Sequence, residues 1–152
     1  MIRLARAVPI LTVFALVAAS DALVAQEARR FVNPRTIADT TVGPFSSGVL
    51  VGNTLYLSGK IGLTEDRRVP ASAAEEARLV LNDVKATLAM VGMSMDDLVS
   101  VQIFCSDVSH YDVFNRVYRT YFTKELPARA FIGAGTLLFG ARFEVQAIAV
   151  KR

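Results

Sequence analysis

Few side chains in this 152-residue sequence can do chemistry, and their types narrow the field quickly. One cysteine, Cys105, leaves no internal disulfide framework and no multi-cysteine zinc site; one histidine, His110, leaves no multi-histidine metal site. Carboxylates, arginines, lysines, hydroxyls and one thiol remain. Arg129, after Pro127-Ala128, opens a strand; its planar guanidinium offers two parallel donors to a carboxylate and stays charged when partly buried. From spacing alone a structural ion pair is the favoured reading. Glu144 is either a cleft carboxylate able to take a proton or orient water, or an ordinary strand carboxylate on a wet face. Gln146, two residues on, shares its face. Ser58, before Gly59, has no His–Asp partner visible in the sequence that would make it a nucleophile, and a bond to the backbone explains it too. Lys60 could form a Schiff base if burial depressed its pKa, but a surface lysine at a strand end is the simpler reading.

The elements that must position these residues follow from periodicity. Val49, Val51, Leu55, Leu57 and Ile61 alternate about Gly52-Asn53, which predicts two strands joined by a tight hairpin. Ser72-Ala73-Ala74-Glu75 has capping-box spacing, and Ala77, Leu81, Val84, Leu88 and Val91 form the apolar face of a helix ended by Gly92, with Arg78, Asp83 and Lys85 facing water. Leu98–Cys105 is β-rich, with Val99, Val101 and Ile103 on one face. A second helix starts at Ser109 or Asp107 and carries Phe114, Val117, Tyr118, Tyr121 and Phe122 on its apolar side; this aromatic run reads as core, and His110 beside the helix start as solvated. Leu126-Pro127 breaks that helix. Strands follow at 130–132 and 143–150. The order β-β-α-β-α-β-β predicts an α+β fold, one mixed sheet with two helices on one face. The other sheet face is expected to be apolar and to meet other subunits.

The apolar fraction, 53%, is too high and the charged fraction, 20%, too low for a disordered chain, and the net charge of +3 is too small to argue for nucleic-acid binding. The chain opens with Arg3 and Arg6, then an apolar run of about 13 residues to Ala19, short of the ~18–20 that span a bilayer. With small residues at Ala18-Ala19-Ser20, this reads as a signal peptide over 1–25, cleaved so that the mature chain starts between Asp21 and Gln26; an uncleaved anchor or a buried helix is the alternative. The expectation is an exported protein, periplasmic or secreted, with a loose leader over 26–35 and one domain over 36–152.

Several segments, taken in order, resemble the YjgF/RidA family of reactive-intermediate deaminases. They are Gly43-Pro44-Phe45-Ser46, the run Val51 to Gly59, Leu81 to Ala86, Asn115-Arg116-Val117-Tyr118, Pro127-Ala128-Arg129 and Glu144 to Val150. The resemblance implies a chorismate-mutase-like trimer whose sheets form an inner barrel, with sites in clefts between subunits. It also implies that Arg129 grips the substrate carboxylate, that Ser58 assists, and that Glu144 orients water or accepts a proton; Asn115, Phe45 and Phe131 fall on substrate-binding positions. The sequence departs from the family at several of them. Phe45 replaces a tyrosine and loses its hydroxyl. Phe131 stands where a cysteine is common, so that a bulky ring would fill part of the cleft. Lys60 replaces a glutamine, Gln146 a second acid, and residues 133–141 lack the usual basic, proline-bearing loop.

The implied activity is hydrolysis of enamine or imine intermediates to 2-keto acids and ammonia, with no metal or organic cofactor. The alternative is a catalytically weak trimer that binds a small carboxylate or amine outside the cytoplasm. Expected partners are a small imino or keto acid and two further copies of the chain, with no nucleic acid and, in the mature form, no membrane.

Overall fold

The computed structural model describes residues 28–33 and 44–152. The signal peptide expected over 1–25, residues 26–27 and 34–35 of the leader and the Val42-Gly43 part of the first turn lie outside these residues. No helix among the described residues is long and apolar enough to cross a membrane.

Among the described residues six strands form one sheet: β1 (Arg29–Val32), β2 (Gly48–Val51), β3 (Thr54–Ile61), β4 (Leu98–Cys105), β5 (Ala128–Gly133) and β6 (Phe143–Val150), in the order β1-β2-β3-β6-β4-β5. Every pairing is antiparallel except β4–β5, which is parallel. Two helices, α1 (Ala73–Ala89) and α2 (Tyr111–Tyr118), cover one face. This is the mixed α+β sheet that the periodicity predicts, with β1 added. Four residues of the stretch read as a loose leader pair with β2, a strand too short to stand out in the sequence.

α1 forms where the pattern places it. The Ser72 hydroxyl accepts the Glu75 N–H at 3.4 Å, satisfying one free donor of the first turn. Ala77, Leu81, Val84, Leu88 and Val91 are buried, each large aliphatic side chain contributing ~1.5–3 kcal/mol. Gly92, at φ 70°, lets the chain turn so that the Met93 N–H reaches the Leu88 carbonyl at 3.0 Å. α2 is shorter than expected. Asp107 caps a single turn at Val108–His110, α2 ends at Tyr118, and Tyr121 and Phe122 lie beyond it. His110 is half-buried, its ring edge-on to Phe143 at 5.9 Å, rather than solvated.

The register corrects several face assignments. The hairpin turn, with Gly52 at φ 57°, pairs Val51 with Thr54 and Leu50 with Leu55. Val49 and Val51 therefore lie on the face away from the helices, while Leu55 and Leu57 point into the core. A bulge between Leu57 and Lys60 shifts the alternation by one residue, placing Ile61 on the open face and turning Lys60 inward. Lys60 is buried, not a surface lysine, and its Nζ lies 3.3 Å from Asp83 of α1. A second irregularity between Leu98 and Ser100 leaves Val99 exposed, off the face of Val101 and Ile103. The open face is mixed rather than uniformly apolar: Gln102, Gln146, Ser100 and Glu144 occupy its middle, flanked by Phe31, Val49, Tyr56, Ile148 and Val150.

A buried ion pair ties α1 to the start of β6. Glu76, fully buried, accepts the backbone N–H groups of Arg142 (2.5 Å) and Phe143 (3.0 Å) and the Arg142 guanidinium (2.7 Å). Arg142 also donates to the carbonyls of Pro70 and Ala71. Gly62 lets the backbone of Glu76 approach, since a Cβ there would overlap its carbonyl oxygen.

Candidate functional site

Parallel pairing places Arg129 opposite Val101 and Phe131 opposite Ile103, so both side chains leave β5 on the helix-covered face. α2 meets them with Tyr111, Asn115 and Tyr118, spaced i, i+4, i+7 and hence on one stripe. The Arg129 guanidinium carbon lies 4.7 Å from the centre of the Tyr118 ring and 5.8 Å from that of Tyr111. Both distances are within cation–π range. Among the described residues Arg129 makes no ion pair and donates no hydrogen bond. The structural ion pair favoured by its spacing has no partner here. Its half-buried fork opens into a hollow lined by Asn115, Tyr118, Arg119, Leu126 and Pro127.

Two residues that line this hollow each bury a polar atom that has no partner among the described residues. These are the Oδ1 of Asn115 and the hydroxyl of Tyr118. Burial pushes the Tyr118 phenol up to about 12, against a smaller opposing pull from the Arg129 charge, so it stays protonated at any physiological pH. Phe131 does not line the hollow. Its ring packs edge-on against Tyr111 at 5.1 Å and Phe114 at 5.8 Å, so the position that resembles a family cysteine is spent on holding α2.

Glu144 lies elsewhere. The alternation that buries Phe143 and Val145 under the helices turns Glu144 to the open face, in a row with Phe104 and Ile61. Its carboxylate rests on Gly59, whose missing Cβ leaves the space it occupies. Among the described residues no cation pairs with it. Ser58 is adjacent in β3; its hydroxyl donates to the Ser46 carbonyl at 2.6 Å and its N–H to that of Ser47 at 3.1 Å. Ser58 thus anchors the segment that carries Phe45, which is 59% exposed. The hydroxyl proton is engaged, and the oxygen can still accept.

The six positions singled out in the sequence therefore fall into two groups. Arg129, Asn115 and Phe131 gather under α2 at the β5 edge. Glu144, Ser58 and Phe45 gather on the open side of β3 and β6. The groups are two strands apart and on opposite faces, so one small ligand cannot touch both within a single chain. Sequence reasoning missed Tyr111 as a support of Arg129 and took Tyr118 as core alone. The i, i+4, i+7 spacing with Asn115 was the available signal.

Comparison with known proteins agrees with this architecture. The family model described as Endoribonuclease L-PSP matches residues 36–151. The 2-iminobutanoate/2-iminopropanoate deaminase of Mus musculus is 35% identical over 124 residues, covering 80% of this chain and 92% of that protein. The protein of the same name from Escherichia coli K12 is 33% identical over 119 residues, covering 76% and 93%. The crystal structure of the YjgF gene product from Escherichia coli superposes with a TM-score of 0.70 at 32% identity, covering 80% of this chain and 94% of that one. Escherichia coli TdcF with bound serine gives 0.70 at 30% identity, covering 73% and 91%. The chain belongs to the YjgF/RidA family and has its chorismate-mutase-like fold.

Proposed function

We propose that the protein hydrolyses 2-imino acids to 2-keto acids and ammonia, at a site assembled from two copies of the chain. The observation that carries this reading is Arg129: a half-buried guanidinium bedded on two aromatic rings, with no acid or carbonyl among the described residues taking its donors. A planar fork held in that way is matched to a carboxylate, the group common to all 2-imino acids. The relatives named imine deaminases support the reading at about 35% identity.

In the proposed reaction Arg129 holds the carboxylate of the imine, and Asn115 offers a further polar contact. Glu144 of a second copy orients a water and takes one of its protons as the oxygen adds to C2. The proton then passes to nitrogen, giving a carbinolamine; Glu144 next carries the proton of the new hydroxyl to nitrogen as well, so that the C–N bond breaks and ammonia leaves as the C=O forms. The C=N carbon is already electrophilic, so position and one proton relay suffice. Ser58 supports the second half-site by holding the Phe45–Ser47 segment. The separation of Arg129 and Glu144 and the partly apolar open sheet face support the two-copy arrangement; we propose the trimer that the family resemblance implies. A ribonuclease reading would need a basic track with solvent-facing stacking aromatics. Here Tyr118 is buried and Tyr111 is engaged by Phe131.

The test supplies imino acids freshly generated by an amino-acid oxidase and follows keto acid and ammonia. The expected outcome is acceleration over spontaneous hydrolysis, with sedimentation at low micromolar concentration giving a trimer. Keto-acid binding without acceleration would favour the weak binding trimer instead. A monomer with full activity would refute the two-copy site.

A further inference from the structure

Tyr118 does more than fill the core. It is only 2% exposed, it stacks against Phe114 (5.9 Å) and meets the tilted ring of Phe122 (4.7 Å), and one side of its ring lies under Arg129. An arginine that binds a ligand carboxylate with both donors must have its plane held before the ligand arrives. Elsewhere such a plane is held by an acid or by backbone carbonyls, but those compete with the ligand for the same N–H groups. Arg142 is held in that way, by Glu76, Pro70 and Ala71, and has few donors left over. Arg129 has none of these partners among the described residues. Its nearest support is the Tyr118 ring, which takes no N–H and leaves the whole edge of the fork open to a ligand.

We infer that Tyr118 is a positioning residue for the carboxylate clamp, acting through the face of its ring and not through its hydroxyl. The inference rests on the proposed role of Arg129. The hydroxyl is closed off from solvent and has no hydrogen-bond partner among the described residues to fix its direction. The second ring, Tyr111, is farther from the guanidinium and 46% exposed, and plays the smaller part.

The test separates ring from hydroxyl and positioning from packing. Binding of 2-oxobutanoate, a stable keto acid, is measured by calorimetry beside imine turnover, for Tyr118→Phe, for Tyr118→Leu and for a series in which position 118 carries Phe and its progressively fluorinated analogues. Fluorination drains the ring's negative face with little change in size, so it keeps the question open even where Tyr118→Leu fails to fold. Tyr118→Phe should bind and turn over within about twofold of wild type. Tyr118→Leu and the most fluorinated analogue should each weaken keto-acid binding and raise KM on the order of tenfold, with kcat changed far less. Arg129→Ala serves as the control. If it binds the keto acid normally, the clamp itself is wrong. If it abolishes binding while the fluorinated series stays flat, the clamp stands and the role of the Tyr118 ring is refuted. A loss in Tyr118→Phe as large as in the fluorinated series would assign the effect to the hydroxyl and equally overturn the inference.

Discussion

Gly59→Ala isolates the second half-site with a single methyl group. Gly59 lies beside the β3 bulge and does not occupy the left-handed region, so alanine suits its backbone. The methyl would nevertheless overlap Glu144 Oε1 and lie 3.0 Å from its Cδ and 3.2 Å from its Cγ. The atoms it meets are the end of a flexible side chain, so the fold survives and the carboxylate swings aside by roughly 1 Å; displacements of that size cost on the order of 100-fold in rate when they misplace a reacting group. The expected result in steady-state imine hydrolysis is a kcat about 100-fold lower, with 2-oxobutanoate affinity within about threefold of wild type, because Arg129 sits on the opposite face of the sheet. Adding Glu144→Ala to Gly59→Ala should cost little more, since both act on the same group. A Gly59→Ala protein whose kcat stays within about threefold of wild type, melting normally, would refute the placement of Glu144 in the reaction.

Two other perturbations test the frame around the site. Glu76→Ala leaves two backbone N–H groups without their buried acceptor and the Arg142 guanidinium without its acid; breaking a buried pair costs about 3–5 kcal/mol, so thermal denaturation should fall by roughly 10–20 °C, and a shift under about 5 °C would contradict the structural role. Tyr118→Phe should flatten the alkaline loss of stability: the unfolded phenol ionises near its ordinary value of 10.0 while the folded one holds its proton to about 12, so stability falls as pH rises between these values in the wild type, and urea midpoints across that window should fall less in the variant. An unchanged slope would mean that the phenol is solvated.

What the sequence reveals here depends on how local the determinant is. α1 is legible because a cap, a 3.6-residue stripe and a terminal glycine all lie within its own span. The faces of Val51, Ile61, Val99 and Lys60 are not, because one turn and two register shifts each alter the alternation, and a bulge leaves no reliable mark in residue types. The Glu76–Arg142 pair joins positions 66 residues apart, with no motif to connect them. At the site, the residues with chemical potential are recognisable from the family resemblance, but their division between two faces is not. It follows from the parity of β6 and from the parallel pairing of β4 with β5, and only the assembled sheet displays both. The bed of Arg129 is an intermediate case. Tyr111, Asn115 and Tyr118 carry their stripe in the spacing, but what the stripe faces depends on where β5 returns.

The most direct measurement of the central claim is 2-iminobutanoate hydrolysis by wild type, Arg129→Ala and Arg129→Lys, with 2-oxobutanoate binding measured alongside. A charge-assisted bidentate contact contributes about 1.5–3 kcal/mol, which is roughly 10–100-fold, and misplacing the imine carbon adds to the loss in turnover. The account predicts that Arg129→Ala folds normally, loses keto-acid binding by at least about tenfold and loses hydrolysis by more, and that Arg129→Lys recovers little because a point charge does not reproduce the fork. If Arg129→Ala binds the keto acid and hydrolyses the imine as wild type does, Arg129 is not the clamp and the proposed site is wrong.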